Sequence, residues 1–319
     1  MPCISDNSVT PLDALVVLTS LDADVGYHIN RDVRPPLGIY NTSLSRVLNK
    51  LVKCCTKLEE YFKLSNNIDG LSVGDDLKDE VLDYIELALY SAAEHVDDIG
   101  LIASGFFEDT KKYKKSKPAK KLNEEVKELK SFISASINSI KHQQSRIRMY
   151  SVDISHNRKL LCLHGYFIEG VHNGTVGPNK IFHGKDNKIF SITSLVWEII
   201  CFILNTSRSL SVFLSTVCNI ELKEHKQVGC ESLNKAIIAA ARLPLYSFDD
   251  SHPFSKTRLV INTSDVTLLN SSLYGSISYK WSNSNDMQFF RDRLGFVGDG
   301  VTKSFEFAKP ISLGLQHWT

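Results

Sequence analysis

The 319 residues hold no Cys-x-x-Cys pair, no His-x-x-x-His or His-Glu-x-x-His pattern and no Gly-Lys-Ser/Thr element. A zinc-type metal centre and a phosphate-cradling loop are therefore without sequence support, and no metal or cofactor is expected. The glycine cluster Gly295, Gly298 and Gly300 reads as a turn between strands. There is no kinase signature. The seven cysteines, Cys3, Cys54, Cys55, Cys162, Cys201, Cys218 and Cys230, are odd in number and irregularly spaced. They fit core thiols in a reducing cytosol better than a disulfide framework. The N-terminus Met-Pro-Cys-Ile-Ser-Asp-Asn has neither a basic n-region nor an apolar h-region, so no signal peptide is expected and the protein is placed in the cytoplasm. An excess of one charge is also missing. Lys and Arg total 37, Asp and Glu 36, for a net charge of +1. That excludes a uniformly basic nucleic-acid coat and an acidic disordered chain.

Long apolar runs are scarce. One stretch, 192–217, carries only Glu198 and Arg208 as charges. A spanning helix needs about 20 apolar residues, and Asn205, Thr206, Ser207, Arg208, Ser209 and Ser211 interrupt the second half. A buried core helix is expected there, with no membrane contact.

The patterning predicts a helix-dominated α+β protein. Leu44, Val47, Leu48, Leu51, Cys55, Leu58 and Phe62 form a three- and four-residue stripe, so a helix is expected from a cap at Thr42 or Ser43 to about Leu64. Arg34-Pro35-Pro36-Leu37-Gly38 before it reads as a connection. A second helix is expected over about 75–104, ended or bent by Gly100, a third over about 120–146, a fourth near 191–217, and a short one over 231–243, stopped by Pro244. Between the third and fourth the period changes to that of strands, at 148–154 and 159–171, with Asn173-Gly174 as a turn. The domain reading is a helical bundle over 1–220 with an antiparallel insertion at about 147–190, then a smaller α/β-to-β-rich C-terminal module over 221–319. In that module 258–262, 273–281 and 303–308 read as strands.

Charge is segregated within the neutral total. Residues 69–98 hold ten acids against Lys78 alone, and residues 111–121 hold seven lysines, Lys111, Lys112, Lys114, Lys115, Lys117, Lys120 and Lys121, with no acid. Such a run can steer a polyanion or a charged protein. It can equally be a solvated loop with the acidic helix as its internal counter-charge.

Candidate chemistry centres on Asn138-Ser-Ile-Lys141-His142-Gln-Gln-Ser-Arg146-Ile-Arg148. On a helix His142 and Arg146 would share a face, with the imidazole moving a proton and the guanidinia of Arg146 and Arg148 holding phosphate oxygens. The same residues could contact RNA or DNA without catalysis, or simply bond to a neighbouring element. The helical core, this Asn-x-x-Lys-His-x-x-x-Arg helix end, and Gly165-Tyr166-Phe167-Ile168 and Gly177-Pro178 before another helix resemble uncharacterised bacterial proteins. Those proteins are similar to HEPN-type helical domains of toxin and phage-defence systems, over about residues 75–217. The resemblance implies a metal-independent ribonuclease site made of an Arg, a spacer of four to six residues and a His, often completed by a homodimer. Arg158-Lys-Leu-Leu-Cys-Leu-His164, with Asn157 before it, has that spacing. If the piece is a strand, the two side chains lie about 20 Å apart, too far for one phosphate.

Weaker candidates complete the reading. His156, His164, His172 and His183 crowd one stretch without a metal-ligand spacing. Asp249, Asp250 and His252 read as a turn. Tyr274, Tyr279, Trp281, Phe289 and Phe290 could stack bases but fit a small core better. Two functions are expected. One is a non-enzymatic subunit of a bacterial defence or toxin-type assembly that binds a protein partner or nucleic acid through segregated charge. The other is a HEPN-like ribonuclease using His142, Arg146, Arg158 and His164.

Overall fold

A computed structural model describes residues 12–21, 34–65, 75–143, 145–156, 159–172, 175–184, 189–220 and 230–244, with three further strands at 259–261, 266–268 and 288–293. Eight helices are seen among the described residues: α1 (Asp13–Ser20), α2 (Pro36–Ser65), α3 (Asp75–Gly105), α4 (Thr110–Lys115), α5 (Lys117–His142), α6 (Lys180–His183), α7 (Ile192–Val217) and α8 (Glu231–Ala241). Long helices α2, α3, α5 and α7 make the bundle, and the architecture is the expected helix-rich α+β one.

The apolar stripes read from the sequence are the buried faces. Leu44, Val47, Leu48, Leu51, Cys55, Leu58 and Phe62 of α2 meet Val81, Ile85, Ala88, Leu89, Ala92 and Val96 of α3. At about 1.5–3 kcal/mol per buried aliphatic or aromatic side chain, this seam outweighs local propensity. It also corrects the start of α2. The helix begins at Pro36, not at Thr42 or Ser43, because Ile39 and Tyr40 are buried in the same seam. A proline costs nothing in a first turn, where its missing N–H has no partner anyway. Gly100 neither ends nor bends α3 enough to break it; the helix runs on to Gly105, carrying buried Ile102 and Ala103.

Helix α7 lies at the centre and touches α1, α3, α5 and α8. Among the described residues it is the one helix long and apolar enough to cross a membrane, and 67% of its apolar stretch is buried within the fold. The serines that interrupt it are used internally: Ser207 Oγ accepts the Ala14 N–H at 3.0 Å and so ties α1 to α7.

The insertion is an antiparallel sheet. β1 (Ile147–His156) pairs with β2 (Lys159–His172) from Ile147 opposite Ile168 to His156 opposite Lys159. β3 (Thr175–Pro178) and β4 (Phe190–Ser191) pair with successive parts of β2. Asn173 and Gly174, where a turn is expected, lie outside the described residues; His172 stands opposite Thr175. Gly170 faces Gly177 here, and a Cβ at Gly170 would stand 2.9 Å from the Asn179 Cα. Only glycine admits that approach. Downstream, β5 (Leu259–Ile261) pairs with β6 (Val266–Leu268), and β7 (Gln288–Arg293) adds to the free edge of β1. The C-terminal region thus lends a strand to the insertion's sheet, at a place where no strand is expected from sequence. The expected strands 273–281 and 303–308 lie outside the described residues.

Candidate functional site

The sequence places His142 and Arg146 on one helical face, and the structure corrects this. α5 ends at His142, capped by the Gln143 N–H donating to the Ser139 carbonyl. The Ser145 N–H turns back to the same carbonyl at 3.3 Å, and the Ser145 and Ser139 hydroxyls meet at 2.8 Å. The Arg146 carbonyl then accepts the Glu169 N–H at 2.9 Å, so Arg146 already belongs to the edge of the sheet. His142 and Asn138 are exposed on the last turns of α5, while Lys141 sits 4.7 Å above the Tyr90 ring. The charge of Arg146 acts on Glu86 of α3. Burial raises that carboxyl, and the Ile147 N–H and Arg146 partly offset the rise.

Arg148 is not an open phosphate holder. Its Nε donates to the Glu169 carboxylate at 2.5 Å, with the Glu169 side chain only 7% exposed. Glu169 lies two residues beyond Phe167, the register partner of Arg148, and so is its diagonal neighbour on one face. His164 stands opposite Ser151, and its Nδ1 is 2.7 Å from the Ser151 hydroxyl. Positions 148 and 151 fall on opposite faces of a strand whose side chains alternate. Arg148 and His164 therefore cannot converge. The His164 imidazole is 1% exposed and packs on Tyr61 and Phe62 of α2, with ring centres 4.5 and 4.8 Å away.

Arg158 and Asn157 lie outside the described residues. The six residues from Lys159 to His164 lie on β2 rather than a helix, so Lys159 and His164 have Cα atoms about 16 Å apart. The helix-borne arrangement that the resemblance implies for this pair is not what the chain forms. His183 is also internal: its Nε2 accepts the Ile168 N–H at 2.8 Å, amid Phe167, Phe182 and Phe190. The side chains of His156, His172, Phe289 and Phe290 lie outside the described residues, as do the Gly295–Gly300 stretch, Asp249, Asp250, His252, Tyr274, Tyr279 and Trp281. Among the described residues no three His, Cys, Asp or Glu side chains group as a metal site.

Two buried ionisable groups were not singled out as sites by the sequence. His95 on α3 is 0% exposed, and its Nδ1 is 2.8 Å from the Ser43 hydroxyl of α2. Burial pulls its pKa down to about 4. Glu198 of α7 is 2% exposed, with Oε2 lacking a hydrogen-bond partner among the described residues. Burial raises its carboxyl well above the usual range, and the nearby Tyr166 and Cys201 are raised as well. Their solitary charged positions inside apolar stripes were the only sequence signal. Gly70-Leu71-Ser72-Val73-Gly74 also has the Gly-x-Ser-x-Gly pattern of a nucleophile elbow, which corrects the expectation that no such elbow is present. It lies outside the described residues, between the end of α2 and the start of α3.

The lysine run gives the clearest surface. It is not a loop but a helical corner. Asp109 caps α4 by accepting the Lys112 N–H at 2.7 Å, and Ser116 caps α5 with Pro118 in its first turn. Tyr113 is turned inward: its hydroxyl donates to Asn123 Oδ1 at 3.0 Å, and its ring meets Phe107, which reaches Phe213 of α7. With Tyr113 as the anchor, the lysines point out, and all seven are exposed. Lys112 pairs with Glu108 and Lys121 approaches Glu125 at 4.0 Å. Among the described residues Lys111, Lys114, Lys115, Lys117 and Lys120 have no carboxylate partner. Nor does any ion pair join the corner to the acidic helix α3, whose Glu80 pairs with Lys57 of α2 instead. Among the described residues the acids of α3 are therefore not paired counter-ions of the lysines. Comparison with family models, curated proteins and solved structures finds no match to this chain.

Proposed function

We propose that the chain is a non-enzymatic, cytoplasmic subunit of a multi-component assembly of the bacterial phage-defence or toxin type, and that it docks an acidic protein partner through the lysine corner. The observation that carries this reading is the set of five outward lysines without carboxylate partners, held on a capped and aromatic-anchored corner. A protein is favoured over RNA or DNA because the corner turns its aromatics inward, where they cannot stack on bases. It also has no arginine to grip a phosphate with a forked pair of donors. The enzymatic reading, with His142, Arg146, Arg158 and His164 as a ribonuclease site, has less support because α5 ends at His142 before Arg146 and His164 is buried against Tyr61 and Phe62.

The test pairs the purified chain with the product of an adjacent gene. Five exposed ion pairs at about 0.2–1 kcal/mol each should make Lys→Gln replacement of all seven lysines weaken copurification and affinity about fivefold or more. Unchanged affinity would exclude the corner as the dock. Incubation with RNA in EDTA should give no cleavage. Cleavage that His142→Ala abolishes would put the ribonuclease reading in its place.

A further inference from the structure

The rod formed by α3 carries opposite charges at its two ends. Its outward stripe begins with Asp76, Asp79 and Asp83, at three- and four-residue steps and all exposed. Lys78 is the only Lys or Arg within 75–98. Among the described residues none of the three acids forms an ion pair; the neighbouring Glu80 takes Lys57. At its other end α3 stops at Gly105, and the lysine corner follows directly. From Asp79 to Gly105 the helix rises roughly 40 Å, at about 1.5 Å per residue. A Debye length of about 8 Å uncouples the two ends within one copy.

Both ends look out on one side of the fold. The crevice between α3 and α5 is bordered by Asp97 of α3 and by Lys127 and Lys130 of α5. Asp97 stands on the stripe four turns beyond Asp83, and Lys120 of the corner stands two turns before Lys127. Between the charged ends the stripe exposes Leu87 and Leu101. A face two helices wide, about 20 Å, and roughly 40 Å long offers about 800 Å² per copy, the size of a standard interface.

Two such faces laid in parallel would set acid on acid and lysine on lysine. Turned about a two-fold axis, each acidic end meets the other copy's lysines, so both unpaired charge blocks are answered in one contact and the exposed leucines are covered. A contact of that kind is isologous and closes at two copies. Asp97, near the axis, is flanked by Lys127 and Lys130 and so does not oppose its own image. We propose that two copies of the chain pair about a two-fold axis through the α3–α5 face, with the acidic start of α3 in each copy seated on the lysine corner of the other. This rests on the reading of the corner as a dock for an acidic protein surface, and it names α3 of a second copy as such a surface. Exposed ion pairs are individually weak and screened by salt, so the pair forms at high protein concentration, and the dilute chain presents an open corner to its partner.

Sedimentation of the full chain at high concentration is the test. At low salt it should run as a dimer, and in about 1 M salt, where the Debye length is about 3 Å, as a monomer. A corner variant (Lys111→Glu, Lys114→Glu, Lys115→Glu) and a stripe variant (Asp76→Lys, Asp79→Lys, Asp83→Lys) should each be monomeric at low salt, because each sets like charges together. Mixed in equal amounts they should form a dimer, since the reversed corner then faces the reversed stripe and the two unaltered ends face each other. The milder Asp76→Asn, Asp79→Asn, Asp83→Asn variant loses six ion pairs per dimer and should raise the dissociation constant about sevenfold or more. A wild type that stays monomeric at low salt, a dimer that survives either reversal, assembly beyond two copies, or an unchanged constant in the asparagine variant would each overturn the proposal. So would a mixture that stays monomeric while circular dichroism shows both variants fully helical. A chain that never dimerises, yet loses the adjacent-gene product on replacement of its lysines, drops the two-fold contact and keeps the corner as the partner's dock.

Discussion

Lowering the pH from 6.5 to about 4 is expected to remove about 3 kcal/mol of stability through His95 alone. The side chain is fully enclosed between α2 and α3, bonded to Ser43 and 5.7 Å from the Tyr40 ring. Burial holds its pKa down at about 4, against 6.5 for the free side chain. In the unfolded chain the imidazole takes up a proton as the pH falls through 6.5, while in the fold it stays neutral until about 4. The unfolded state binds the proton first, so stability is complete above 6.5 and is lost as the pH drops through that window, at about 1.4 kcal/mol per unit. Glu198 acts in the opposite direction. Its raised carboxyl lets the unfolded state release a proton first, so its own contribution falls as the pH rises above the ordinary glutamate range. Urea denaturation of wild type and His95→Gln at several pH values separates the terms. The variant should be weaker near pH 7.5, through the disturbed Ser43 contact, and the gap should close or reverse by pH 4.5. Parallel curves would show that His95 is not held neutral.

Cutting the Arg148–Glu169 pair is expected to destabilise the protein by about 3 kcal/mol or more, because each single change strands a charge in a poorly hydrated site. Arg148→Ala leaves the Glu169 carboxylate in a position 5% exposed. Glu169→Leu leaves the guanidinium with one contact fewer. The double change Arg148→Met with Glu169→Leu should recover most of the loss, since an apolar pair of similar bulk requires no desolvated charge. Equilibrium unfolding of the four proteins gives the coupling. Strictly additive losses would mean that the two side chains do not depend on each other.

These two features show where the sequence can be read and where it cannot. The stripes of α2, α3, α5 and α7 announce themselves because helix period and burial agree over many turns. Boundaries failed where a single residue could serve two purposes: Pro36 ends one pattern and begins a helix, and Ser145 could extend α5 but bonds back to Ser139 instead. α4 has almost no apolar stripe, only Tyr113, so nothing local distinguished its lysines from a loop. β7 depends on pairing with β1 across more than a hundred residues of chain, which local patterning does not encode. The same limit governs the site. That the run 111–121 itself holds no acid was legible. Arg148 and Glu169 are 21 residues apart, and only the hairpin register makes them neighbours. The register likewise sends His164 to the opposite face, separating groups that lie close in sequence. Gly100 read alone suggested a helix end, yet α3 runs on to Gly105.

Amine labelling of the full chain, alone and in complex with its partner, tests the central claim most directly. Mass spectrometry would read the modification of each lysine. The account predicts strong protection of Lys111, Lys114, Lys115, Lys117 and Lys120 in the complex, with exposed lysines elsewhere, such as Lys63 on α2 and Lys235 on α8, labelled as in the free chain. Corner lysines that react equally with and without the partner, while other positions are protected, would contradict it.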